Sequence, residues 1–175
     1  MAFSLHTLTT GTFAPMLRDL SGVLEKGAAY AADKKLDLVN AKLAPDMFTL
    51  AMQVKVACDH ANNTTVMLSG GEPPARNQDV DASFEAMQAR IAKTIATVEA
   101  ATPESFAGAE DRSFRVPLIN DLALHVTGVE LVKDWAFPHF YFHVVTAYDI
   151  LRNAGVTLSK RDYVGHIGVM IRQGG

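Results

Sequence analysis

Apolar side chains recur at three- and four-residue intervals over most of the 175 residues, a period that commits each stretch to a helix burying one face. In the first stretch Leu5, Leu8, Met16, Leu17, Leu20, Leu24 and Ala28 form the stripe, with Ser4 as its N-cap and an end near Ala32. Pro15 lies inside it. The clash of its ring with the Gly11 carbonyl predicts a bend or a broken first turn. A second helix, capped by Asp46, carries Met47, Leu50, Val54, Ala57, Ala61, Thr65 and Leu68 to a stop at Gly70-Gly71. A third starts near Asp81 and turns Phe84, Met87, Ile91, Ile95 and Val98 inward before Thr102-Pro103 ends it.

The period then changes. Phe114, Val116 and Leu118, followed by Leu122, Leu124 and Val126, alternate about Asn120-Asp121 as a short hairpin, which Pro117 restricts to edge pairing. Thr127 and Glu130 form a T-x-x-E capping box that opens a last helix through Leu131, Trp135, His139, Phe142, His143, Thr146, Ile150 and Leu151 to Gly155. Pro138 frees the Asp134 carbonyl and predicts a kink one turn ahead of His143. From Val156 onward no strong period survives, so an irregular, partly mobile tail is expected. The reading is one all-α domain over residues 1–175 with a hairpin before its last helix.

Linker length bears on topology. The stretch from Gly70 to Val80, about eleven residues at ~3.3 Å each, spans about 36 Å, which matches the ~35 Å of a second helix of about 23 residues. The chain can therefore run back along the second helix, leaving helices two and three parallel, an uncommon crossover.

Charge and cysteine content narrow the function. The formal charge of −3, from 16 basic and 19 acidic residues, is interspersed, and the densest basic pair, Lys160-Arg161, is followed by Asp162. No phosphate-neutralising face is expected, hence no nucleic-acid partner. Cys58 stands alone, excluding an internal disulfide and any cysteine-clustered metal site and fitting a cytoplasmic protein. The N-terminus lacks the basic start and apolar run of a signal peptide, and no window holds 18 uninterrupted apolar residues, so no membrane association is expected.

His139 and His143 carry the most specific chemistry. Four residues on a helix separate two side chains by roughly 40° and about 6 Å along the axis, so both imidazoles can reach one ion. A third ligand must come from another helix, and His60 is the candidate, on a half-polar row of Gln53, Val56, His60, Thr64 and Met67. Six histidines in 175 residues produce an i,i+4 pair by chance in roughly one chain in six. Spacing alone thus leaves open a second reading, in which the pair are core residues hydrogen-bonded to carbonyls or water.

Other motifs argue by absence. His139-Phe140-Tyr141-Phe142-His143 lacks the glutamate of H-E-x-x-H, and neither a Walker loop, G-x-G-x-x-G nor G-x-S-x-G occurs. Asp59 reads as a surface charge rather than a ligand, Tyr148 and Asp149 as packing or capping residues, and Cys58 as a small core hydrophobe.

The segments Asn40-Ala41-Lys42-Leu43-Ala44-Pro45-Asp46-Met47-Phe48, Gly108-Ala109-Glu110-Asp111-Arg112, Phe142-His143-Val144-Val145-Thr146-Ala147-Tyr148-Asp149-Ile150-Leu151-Arg152 and Lys160-Arg161-Asp162-Tyr163 carry a resemblance. They resemble an uncharacterised, domain-of-unknown-function branch of the DinB/YfiT-like metalloenzyme superfamily, up to about Gly165. The resemblance implies a four-helix bundle in up-down-down-up order, and a divalent ion, nickel or zinc, held by positions matching His60, His139 and His143. It also implies pairing into homodimers and, in characterised relatives, thiol-dependent transfer or isomerisation. The expected function is a cytoplasmic metal-dependent enzyme of hydrolase or thiol-dependent transferase type acting on a small molecule. The alternative is a metal-free bundle that binds a small ligand or serves as a structural homodimer.

Overall fold

The structure is a computed structural model that describes residues 4–75, 77, 79–118, 120 and 122–171. Helix α1, Leu5–Lys34, is capped by Ser4, whose hydroxyl accepts from the Thr7 N–H. It continues through Pro15, so of the expected bend or broken first turn the broken turn does not occur. Gly11, whose carbonyl the proline leaves unpaired, is exposed, so water can satisfy that carbonyl. Helix α2 is Leu50–Leu68, capped by Thr49 rather than Asp46. The intervening residues are held in turns, with the Met47 N–H on the Ala44 carbonyl and the Leu50 N–H on the Ala41 carbonyl. Helix α3, Phe84–Ala100, starts from Ser83, because Asp81 is engaged by the Arg90 guanidinium at 2.6 and 3.0 Å and does not cap.

The fourth long helix is composite. A turn at Gly128–Glu130 carries the expected Thr127/Glu130 capping box, a π-helical segment follows at Leu131–Ala136, and α4 proper is Phe137–Asn153. The π segment lies directly ahead of Pro138: the Phe137 N–H reaches back five residues to the Val132 carbonyl, widening the helix where the proline can neither donate nor tolerate the usual carbonyl position. Strands β1, Ser113–Pro117, and β2, Ala123–Thr127, pair antiparallel, with Pro117 at the terminal register position opposite Ala123. Asp121 of the expected turn lies outside the described residues.

Side-chain pairs give the helix directions. Ser21 hydrogen-bonds Gln88 while His6 meets the Ala101 carbonyl, so α1 and α3 are antiparallel. Cys58 lies beside Thr94 and Ser69 hydrogen-bonds Ser105, so α2 and α3 are parallel, the crossover that the linker length allowed. Gln53 pairs with His143 and His60 with His139, so α2 and α4 are antiparallel. Phe13 packs on Phe137 and Phe140, and Gly27 abuts Leu151, so α1 and α4 are parallel. The order is up-down-down-up. Phe13, Leu17, Leu24, Leu50, Val54, Met87, Phe140 and Leu151 fill the shared core, and Leu5, Leu68, Phe106, Phe114 and Leu131 close one end. No helix among the described residues is long and apolar enough to cross a membrane.

The tail is more ordered than expected. Gly155, at φ +100°, turns the chain, Val156 and Leu158 are buried, and helix α5, Lys160–Tyr163, carries a Ser159/Asp162 capping box. Lys26 and the Ser159 N–H hold the Asp162 carboxyl below the usual carboxylate range. His166 approaches Asp19 of α1 at 2.5 Å, through Nδ1. Gly174 and Gly175 lie outside the described residues.

The entry to the fourth helix is sterically tight: a Cβ on Gly128 would sit 1.9 Å from the Ala109 carbonyl oxygen, whereas a Cβ on Gly11 meets nothing within 4 Å. Gly128→Ala is therefore predicted to destabilise by about 3 kcal/mol or more, and Gly11→Ala to stabilise by about 0.5–1 kcal/mol. Urea unfolding of the two variants checks this; equal midpoints would refute the assigned packing.

Candidate functional site: an imidazole cluster between two antiparallel helices

Trp135, His139 and His143 follow one another at four-residue spacing and so share one face of the fourth helix. Opposite them, α2 presents His60 and, two turns earlier, Gln53. Antiparallel packing sets Gln53 against His143 and His60 against His139 and Trp135. The His60 ring centroid lies 4.9 Å from that of His139 and 6.0 Å from that of His143, with the planes 23° and 15° from parallel. Trp135 covers His139 at 4.1 Å, and Phe142 meets His143 edge-on at 5.2 Å. Phe48, in the loop before α2, lies 6.3 Å from His143 at 19°. Phe48 and Phe142 are 51% and 56% exposed, so the two aromatic side chains that flank the buried His143 ring reach the surface.

Hydrogen bonds orient the rings of His139 and His143. His139 Nδ1 is 2.6 Å from the Trp135 carbonyl, which can only accept, so Nδ1 bears the proton and Nε2 the lone pair. His143 Nδ1 is 2.6 Å from Gln53 Oε1, with the same consequence. An oxygen acceptor behind a histidine is the arrangement that fixes ring tautomer in metal-ligating imidazoles.

The donor set suits a borderline ion such as zinc or nickel, because three neutral imidazoles leave at least one coordination position open. Metal–nitrogen bonds near ~2.1 Å at tetrahedral angles place ring centroids about 5 Å apart. His60 and His139 meet that spacing, and His60 and His143 exceed it by about 1 Å. Imidazole lone pairs lie in the ring plane, so near-parallel planes do not aim nitrogens at a common point. As placed, the described residues contain no group of three or more His, Cys, Asp or Glu side chains able to hold an ion. The rings are neighbours, but their orientations as placed do not converge on one ion.

The remaining candidates fall elsewhere. Asp59 pairs with Lys55 at 2.5 Å and does not join the imidazoles. Cys58 is buried, and burial pushes its thiol up to about 12, which leaves it inert as a nucleophile near neutral pH. Tyr148 packs on Tyr163 of α5. Sequence reasoning placed Gln53 on the row of His60 but gave it no role, and it missed Phe48 and Trp135 as walls. The signal was present for Trp135, four residues before His139 on the same helix, and for Gln53, on the row of His60, but not for Phe48.

His143 is 7% exposed, and burial, followed by the charge of His139, pushes its imidazole down to about 4 from the ordinary 6.5. Above pH 6.5 the ring is neutral in both folded and unfolded chains. As pH falls from there to about 4, the unfolded chain takes up a proton that the folded chain refuses, and stability declines. Between about pH 7 and about pH 5 this residue is predicted to remove at most about 2 kcal/mol. Urea unfolding at both pH values should show wild type losing that much more than His143→Gln; parallel losses would contradict the assignment.

Comparison with known proteins identifies the chain by family. Residues 5–164 match the model of a family described as "Domain of unknown function (DUF1993)". The crystal structure of a DinB family member protein from Shewanella denitrificans is 34% identical, covers 92% of each chain and superposes with a TM-score of 0.82. No curated protein matches significantly. The chain thus has a DinB-like fold, and it belongs to the DUF1993 family of uncharacterised domains.

Proposed function

We propose that the cluster of His60, His139 and His143 binds one divalent ion of the zinc or nickel class, and that the protein is a metal-dependent enzyme of the hydrolase or thiol-dependent transferase type. The observation that carries this reading is the pinning of Nδ1 on both His139 and His143 by oxygen acceptors from separate parts of the chain. That pinning reserves two Nε2 lone pairs beside a third imidazole. A divalent ion at such a site supplies Lewis acidity and lowers the pKa of a water or thiol at its open position. The residues present do the rest. Gln53 and the Trp135 carbonyl orient the rings, Trp135 shields His139, and Phe48 and Phe142 offer apolar walls to a small-molecule substrate. Pro138, Phe142 and Val145 form an exposed apolar row on the fourth helix, a face suited to pairing with a second copy of the chain.

A second reading, a metal-free bundle that binds a small ligand or pairs as a structural homodimer, is favoured by the near-parallel rings. It is favoured too by the full hydrogen bonding of buried side-chain polar atoms among the described residues. Metal analysis of untagged protein decides between them. The first reading predicts about one divalent ion per chain, lost in His139→Ala and His143→Ala variants that stay folded. It also predicts a melting temperature lowered by chelation, since an ion at about 100 times its Kd adds ~2.7 kcal/mol. No ion and a melt indifferent to chelator would establish the second.

A further inference from the structure

Gln53 is 1% exposed, so a polar side chain there has to find its partners inside the protein. Its amide has two, at opposite ends: Nε2 donates to the Phe48 carbonyl at 3.5 Å, and Oε1 lies 2.6 Å from His143 Nδ1. The Phe48 carbonyl can only accept, so the amide nitrogen has to face it and the amide oxygen has to face the histidine. An amide oxygen can only accept as well. His143 is thereby obliged to carry its proton on Nδ1, with Nε2 as the ring's lone-pair nitrogen. The loop before α2 takes part twice, because Phe48 sets the amide through its backbone and lies beside the same imidazole through its ring.

We infer that Gln53 is a positioning residue: it relays the polarity of the Phe48 carbonyl to His143 and commits that imidazole to the Nδ1–H tautomer. The purpose of the exposed lone pair rests on the three-imidazole reading above; the tautomer itself does not, since no ion is needed to enforce it. His139 reaches the same tautomer from within its own helix, through the Trp135 carbonyl. His143 lacks that local route in the structure and depends on α2, so the two helices must be packed before the pair is complete.

The test is a long-range 1H–15N imidazole spectrum of chelator-treated full-length protein near pH 7.5, with His143 assigned from its absence in His143→Gln. Wild type should show His143 Nδ1 as the protonated nitrogen and Nε2 as the unprotonated one. Gln53→Met, close in volume but unable to accept a hydrogen bond in the same way, should release the ring to the Nε2–H form or a mixture. Gln53→Glu, which retains an acceptor, should restore the wild-type pattern. A zinc titration of the same proteins should show affinity about 10–100-fold weaker in Gln53→Met and recovered in Gln53→Glu. Wild-type His143 found as Nε2–H, or an unchanged tautomer in folded Gln53→Met, overturns the inference. If Gln53→Met does not fold, the wild-type spectrum still decides. A Gln53-dependent tautomer in a protein that binds no zinc would leave this inference standing and remove the metal reading; zinc bound equally by all three proteins, with tautomer unchanged, would do the reverse.

Discussion

Helix α2 has no fully exposed residue along its length, and this constraint governs the rest of the molecule. It lies between α3, with which it runs parallel, and α4, with which it runs antiparallel. Its buried polar groups must therefore be satisfied from within. Gln53 turns to His143, Lys55 to Asp59 and Thr65 to the Ala61 carbonyl. Lys55 illustrates the cost: its side chain is 5% exposed, and an unpaired ammonium there would cost several kcal/mol, so Asp59 one turn away is held as its counter-ion rather than released to a ligand site. The imidazole cluster is the same constraint expressed on the α4 side.

The fourth helix answers with a distortion of its own. Pro138 removes one donor from a helix that must carry three aromatic or imidazole side chains on one face, and the π segment over Leu131–Ala136 accommodates the misfit within a continuous run of helical turns. Single-turn widenings of this type gather at functional positions, and here the widened turn contains Trp135, whose carbonyl orients His139 and whose ring covers it. The hairpin and the Thr127/Glu130 box fix where this helix begins, and close contact of Gly128 with the Ala109 carbonyl leaves little latitude in its entry.

Much of this was legible from residue order. Apolar periodicity located all four long helices, the alternation of Phe114 to Val126 located the hairpin, and T-x-x-E marked the start of the last helix. Boundaries were less legible where two residues competed for one cap. Asp46 and Thr49 both offer capping oxygens, and backbone turns at Ala44 to Leu50 decide for Thr49; Asp81 is a good cap in isolation, but Arg90 two turns into α3 engages it. The tail read as irregular because its anchors, Lys26 and Asp19, lie more than a hundred residues away.

The sequence by itself determined that this chain forms amphipathic helices, that a linker of the right reach permits two of them to be parallel, and that two imidazoles share a face four residues apart. Those are local properties, set by 3.6 residues per turn and by the length of an extended chain. Only the tertiary structure decided that His60 stacks beside that pair with its ring plane nearly parallel to theirs, and that a glutamine sets the tautomer of one of them. Ring orientation and proton position depend on which atom of a distant residue comes within hydrogen-bond reach, and that is settled by helix packing, to which periodicity is blind.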